Sequence, residues 1–197
     1  MDSGQEISYK PFRVLVACEF SGIVRDAFRN RGCDAWSCDY EWCESFNAFH
    51  YRGDVFDIIN HDWDLMIAHP PCTYLAVSGM HWTTRGMRDP QLTEDALDFV
   101  RRLMAAPIPR IALENPVSII SSKIRKPDQI IHPHQFGHDA SKSTCLWLKN
   151  LPKLKPTNIV AGREGRVWKL PPSPDRWKLR SLTFSGIARA MAEQWSV

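Results

Sequence analysis

The chain has 197 residues, 44% of them hydrophobic and 24% charged, which suits one globular domain with a core of its own. No apolar run is long enough to span a membrane, and the polar opening Met1–Lys10 lacks the apolar stretch of a secretory signal. The formal net charge of +3 hides an asymmetry: residues 1–140 carry 14 Lys and Arg against 19 Asp and Glu, whereas residues 141–197 carry 11 against 3. An acidic body with a basic end points to a polyanionic partner near the C-terminal third, the plainer alternative being a solvated basic face. The six cysteines (18, 33, 38, 43, 72 and 145) are expected as reduced thiols of a cytoplasmic protein rather than a disulfide framework.

Taken in chain order, Phe12–Cys18 is a short Val-rich apolar run and predicts a buried strand. A turn at Phe20-Ser21-Gly22 leads into a helix over Ile23–Asn30, which Gly32 ends. Asp34–Cys38 predicts a second strand with Asp39 just past its end, and Asp64–Ala68 a third, stopped by His69-Pro70-Pro71. Leu92–Ala105 has Leu92, Ala96, Phe99, Val100 and Leu103 at helical spacing. Arg110–Leu113 is the next strand, ending at Glu114-Asn115-Pro116; weaker strands are expected near Ile130–Phe136 and Thr144–Leu148, and a closing helix over Phe184–Trp195. The proline-rich, basic stretch Asn150–Arg180 has little periodicity and predicts an irregular loop or small lobe.

Strands alternating with helices imply an α/β protein: a mostly parallel sheet with helices on both faces. Ligands of such sheets sit outside the carboxyl ends of the strands, where Phe20-Ser21-Gly22, Asp39, Pro71-Cys72 and Glu114-Asn115 all fall. A glycine after the first strand lets backbone approach a ligand, and an acid after the second can accept hydrogen bonds from ribose hydroxyls. Asp39 is the candidate for that role, with Glu41 as its substitute. Two prolines stiffen the loop carrying Cys72, so a thiolate there can be aimed at an electrophilic carbon. Glu114, ending a neighbouring strand, can donate to a ring nitrogen if its carboxyl is held partly protonated.

This arrangement resembles the cytosine-5 DNA methyltransferases. The matching pieces come in that family's order: Phe20-Ser21-Gly22, Gly53-Asp54-Val55, Asp64-Leu65 through Pro71-Cys72, and Glu114-Asn115-Pro116, with Gly137–Leu148 and Gly186–Trp195 similar to its late motifs. The resemblance implies a Rossmann-like S-adenosylmethionine-dependent methyltransferase fold. Residues 10–149 and 181–197 would form the catalytic domain, and 150–180 a short basic segment in place of a target-recognition domain. It further implies that Cys72 attacks C6 of cytosine, that Glu114 steadies N3, and that Asn115 holds the Pro-Cys loop. Phe20 and Tyr40 would pack around the adenine of S-adenosyl-L-methionine with Ser21, Gly22 and Pro71 nearby. Asp39 would bind the ribose, and Asp54 the adenine amino group. A base inside a duplex would have to be flipped out.

The chain departs from the family pattern in places. Val24 and Arg25 stand where further glycines are usual, Thr73 follows Cys72 where Gln is common, and Lys142 and Thr144 replace a pair of arginines. Only about 37 residues separate Leu146 from Thr183, where the family inserts a sizeable lobe. Lys153, Lys155, Arg163, Arg166 and Lys169 can grip phosphates there, and Trp168 or Trp177 can stack bases. The expected partner is therefore DNA, duplex or single-stranded, with RNA or a free nucleotide as alternatives and a separate specificity subunit as a source of recognition. A small member of this kind suits a phage or other mobile element.

Two further readings stay open: methylation of an exocyclic amino group, of which only the Pro-Pro pair is reminiscent, and a nucleic-acid-binding module that has lost the reaction. His132, His134, His138 and Cys145 fit no common zinc spacing and are read as phosphate-contacting or packed residues, as are Cys33, Cys38 and Cys43 as packed ones. Trp36 and Trp42 are expected as core or cofactor-pocket walls. His81–Asp89, with Trp82, Arg85 and Arg88, is expected as a loop able to close over substrate, Arg85 contacting it.

Overall fold

A computed structural model describes residues 10–44, 48–162, 164–165, 173 and 176–196. Strand β1 (Arg13–Ala17) runs into helix α1 (Ile23–Arg29), followed by β2 (Asp34–Asp39), β3 (His50–Arg52), α2 (Val55–Ile58) and β4 (Leu65–Ala68). After α3 (Val77–Thr84) and α4 (Gln91–Met104) come β5 (Arg110–Pro116), α5 (Ile120–Lys123), β6 (Gln129–Ile131) and β7 (Thr144–Lys149); α6 (Arg176–Ser181) and α7 (Ser185–Trp195) close the chain.

The seven strands form one sheet in the order β3-β2-β1-β4-β5-β7-β6. Neighbouring pairs are parallel except at β7, which is antiparallel to both β5 and β6. Strand direction of progress reverses at β1, which has β2 on one side and β4 on the other, and this reversal opens a crevice beyond their carboxyl ends. Both faces are covered, so the central strands are apolar on both sides. Leu15, Ala17, Met66, Ala68 and Leu113 belong to a core with Leu97, Val100 and Leu103 of α4. Val14, Val16, Leu65, Ile67 and Ala112 belong to a second core with Phe28 of α1 and Met191 and Trp195 of α7.

Helix α7 sits close because its inner face is built of small residues, Gly186, Ala188, Ala190 and Ala192. At Gly186 an added Cβ would stand 1.9 Å from the Phe136 carbonyl oxygen, so no side chain fits. No helix among the described residues is long and apolar enough to cross a membrane.

Several expectations need correction. β5 continues three residues past Leu113, because β7 supplies ladder partners for Glu114, Asn115 and Pro116. Asp39 is the last residue of β2 and not a loop residue, paired with Arg52 of the unforeseen β3. The strand expected over Ile130–Phe136 stops at Ile131, and a 3₁₀ turn over Pro133–Gln135 follows, since Pro133 has no N–H for a ladder. The buried stripe of α4 is Thr93, Leu97, Val100 and Leu103, with Leu92 outside it. His81–Thr84 belong to α3 and not to a loop, and Arg176–Ser181, expected to be irregular, form α6.

Candidate active site

At the end of β1, Cys18 takes a left-handed conformation (φ 59°), rare for a residue with a side chain, and turns the chain so that Glu19 points inward. Glu19 is buried, and its carboxylate caps α1: Oε1 accepts from Val24 N at 2.7 Å and Ser21 Oγ at 3.2 Å, and Oε2 accepts from Arg25 N at 3.2 Å. Burial pushes this carboxyl above its ordinary range, against the opposing pull of the nearby His69 charge and the two backbone donors. Gly22, at φ 74°, completes the turn into the helix. Arg25 is fully buried; its guanidinium donates to Ser37 Oγ at 3.0 Å, Cys43 Sγ at 3.3 Å and Asp26 Oδ1 at 2.8 Å, tying α1 to β2 and the segment after it.

The helix N-terminus where a Rossmann fold would cradle a pyrophosphate is thus occupied by the chain's own carboxylate. Around the same crevice lie Asp39, whose Oδ1 accepts from Glu41 N at 3.0 Å, and Asp54, which caps α2 through Phe56 N at 3.0 Å. Burial raises the Asp39 carboxyl despite the backbone N–H groups of Glu41 and Tyr40 and the nearby His50. The Asp39 and Asp54 carboxylates at this crevice suit a cationic ligand, and S-adenosylmethionine, with its sulfonium and amino group, fits them better than a dinucleotide. Aromatic walls are present. Phe20 is buried, with the Trp177 ring 5.8 Å away, while Tyr40 is 67% exposed and Trp42 lies under the Arg52 guanidinium at 4.4 Å.

The second half of the site follows β4. His69 N donates to the Ala17 carbonyl at 2.9 Å, extending the β1–β4 pairing, and Pro70 and Pro71 then carry the chain outward to Cys72. Asn115, buried on β5, donates from Nδ2 to the Pro70 carbonyl at 2.8 Å and so fastens the loop to the neighbouring strand. The Cys72 carbonyl accepts from Leu75 N at 3.0 Å and Ala76 N at 2.8 Å, closing the turn from below. Cys72 itself is exposed. Desolvation by its surroundings and the Glu114 charge raise its thiol, and the Lys142 and Arg180 charges oppose them. Lys142 Nζ donates to the carbonyls of Arg180 at 3.0 Å and Leu182 at 3.3 Å, which draws the end of α6 to the rim.

Glu114 is paired. His69 Nδ1 lies 2.9 Å from its Oε2, with both side chains nearly buried. Burial alone would raise the Glu114 carboxyl, but the His69 hydrogen bond and charge, with help from Lys142 and Thr144, hold it below its ordinary range. The partly protonated carboxyl expected from the sequence is therefore corrected: in the resting site Glu114 is held ionised by a neighbour.

The structure brings Ser21, Gly22, Asp39, Asp54, Pro71, Cys72, Glu114, Asn115 and Lys142 to the carboxyl-end rim. Arg85 caps the end of α3, and it is Arg88 that touches the cysteine loop, donating from Nη1 to the Thr73 carbonyl at 3.0 Å. Trp168, with Arg163, Arg166 and Lys169, lies outside the described residues. The histidine cluster is divided among packing roles: His138 Nε2 accepts from Gly186 N at 2.9 Å, and among the described residues no group of three or more His, Cys, Asp or Glu is placed to hold a metal. Glu19 and His69 are the site residues that sequence reasoning missed, and Trp177, expected to stack bases, packs beside Phe20. For Glu19 and His69 the available signal was a titratable residue in the first positions after a strand.

No family model matches this chain, and no curated protein is significantly similar to it. Among solved structures it is similar to the Entamoeba histolytica methyltransferase EhMeth, with a TM-score of 0.52 at 15% identity over 77% of this chain and 58% of that one. The chain thus spans less than two thirds of that protein's length, and a likeness at this identity shows the fold. It is an α/β, Rossmann-like sheet of the kind a methyltransferase uses.

Proposed function

We propose that this protein transfers a methyl group from S-adenosylmethionine to C5 of cytosine in DNA through a covalent bond between Cys72 and C6. The observation that carries this reading is the exposed Cys72 thiol on a Pro-Pro loop locked by Asn115 to the strand that presents Glu114. When bound, S-adenosylmethionine supplies an electrophilic methyl carbon. The chain's residues make C5 a nucleophile toward it: the Cys72 thiol gives its proton to water and its Sγ bonds to C6, Glu114 in its protonated form donates to N3, and electron density moves to C5. After methyl transfer a water molecule takes the C5 proton, the C5–C6 double bond re-forms and the Sγ–C6 bond breaks, with its electron pair returning to sulfur. Asp39 and Asp54 supply negative charge for the donor, Glu19 holds the turn beside them, and the basic segment before α7 supplies phosphate contacts.

An oligonucleotide carrying 5-fluorocytosine tests this directly, because fluorine at C5 cannot leave as a proton and the adduct persists. With S-adenosylmethionine present, wild-type protein is expected to form a denaturation-resistant complex that Cys72→Ala does not form. A complex formed equally by Cys72→Ala contradicts the reading.

The short connection from β7 to α7 favours a second reading, the same chemistry on RNA or a free cytidine nucleotide. Long-site recognition needs several side chains on a scaffold in a groove, and a separate subunit supplying it would restore DNA as the target. Competition of each substrate for methyl transfer separates these.

A further inference from the structure

Resting on the cytosine-C5 reading, we propose that His69 is a positioning residue that holds, together with Glu114, the proton that Glu114 lends to N3 of the base. Four observations meet at this side chain. Its Nδ1 is 2.9 Å from Glu114 Oε2, so the imidazole holds one carboxylate oxygen directly, while the Thr144 hydroxyl also bonds the carboxylate. The imidazole is nearly buried, with a side-chain exposure of 10% against 12% for Glu114, so the two share one low-dielectric site. Its Nε2 is buried and has no partner among the described residues. Finally, its backbone is fixed between the β1 pairing through Ala17 and the two prolines, so the ring cannot drift from the carboxylate.

The need for such a partner follows from the resting charge state. N3 of cytosine is an acceptor, so Glu114 must present an O–H, yet the site keeps its carboxyl ionised. The pair resolves this by moving one proton internally. With His69 doubly protonated and Glu114 ionised, the Nδ1–H bond breaks and a Glu114 O–H bond forms, leaving net charge unchanged. That O–H gives its proton to N3 as Cys72 Sγ bonds to C6, and the pair is then one proton short. When the Sγ–C6 bond breaks, the N3 proton returns to the carboxylate and the imidazole. The charged groups acting on the pair are Glu19 from the β1 turn, whose charge is coupled to His69, and Lys142, whose charge acts on Glu114.

A pair binds its proton at either of two sites, so it keeps it to higher pH than a lone carboxyl in the same place. His69→Asn tests this, because the Asn amide can donate to Glu114 from the Nδ1 position but cannot titrate. Single-turnover methylation of a cytosine-containing oligodeoxynucleotide is measured from pH 6 to 9, with S-adenosylmethionine affinity and the urea midpoint as checks on folding. The expected result is a loss of about 10²-fold at pH 8 that shrinks towards pH 6, with the alkaline limb moved to lower pH and cofactor affinity unchanged. A loss of the same factor at every pH, or none, overturns the proposal while leaving the parent reading standing. Absence of transfer by wild-type protein overturns both.

Discussion

Cys72 and Glu114 are opposites in what the fold does to them. The thiol is raised by its surroundings and by Glu114, while the carboxyl is held down by His69. The thiol is therefore held toward its neutral form, with the Lys142 and Arg180 charges the groups that favour its ionisation. Cys72→Ser is expected to lower methyl transfer by about 10³-fold or more with donor binding intact, and Glu114→Gln by about 10²- to 10³-fold, measured under single-turnover conditions. Arg25 shows the same residue-scale logic in a structural role. Where the resembling family has glycine, this chain buries a guanidinium that holds α1 to β2, so Arg25→Gly is not expected to restore a family-like site but to loosen β2.

At the scale of elements, the site is made by the ends of strands and by what fastens those ends together. Asn115→Ala removes the bond to the Pro70 carbonyl and leaves that carbonyl without its strand partner. A cost of about 1–3 kcal/mol is expected by urea denaturation, with a fall in turnover larger than the fall in donor affinity. Gly186→Ala drives a methyl group into the Phe136 carbonyl and should cost about 3 kcal/mol, with α7 displaced. The central strands and the helices α1, α4 and α7 were legible because their apolar residues recur with strand or helix period. Elements without such a pattern were not. β3 is three residues long, and α3 buries none of its side chains, so neither carries a periodic signal. The Pro-Cys loop and the Glu-Asn strand end were legible because unusual residue types sit just after apolar runs. The pairing of Glu114 with His69 was not, because 45 residues separate the two and only the β4–β5 register brings them together.

For the whole molecule, the carboxylates that folding shifts set how stability follows pH. Glu114 and Asp128 are held below their ordinary ranges, Asp128 by Leu148 N and Arg125 against partial desolvation. Their contributions are present above the unfolded values and are lost as pH falls through the folded ones. Glu19 is raised by burial, so its contribution runs the other way, present at low pH and lost as pH rises through its folded value. Urea midpoints from pH 3 to 8 are expected to show a steep acid-side fall in wild-type protein, a shallower one in Glu114→Gln, and in Glu19→Gln no decline on the rising side. Charge acts at this scale too: the basic C-terminal third meets the acidic crevice at Lys142 and Lys178, the latter 3.8 Å from Glu41, so the donor side and the polymer side of the site carry opposite signs.

On the proposed reaction the methyl group ends on C5 of cytosine. Transfer of labelled methyl from S-adenosylmethionine to duplex DNA, single-stranded DNA, RNA and dCTP, followed by digestion to nucleosides, tests it most directly. Label in 5-methylcytosine from DNA, absent with Cys72→Ala, is the predicted result. Label on a nitrogen, or none on any substrate while the donor is bound, would contradict it.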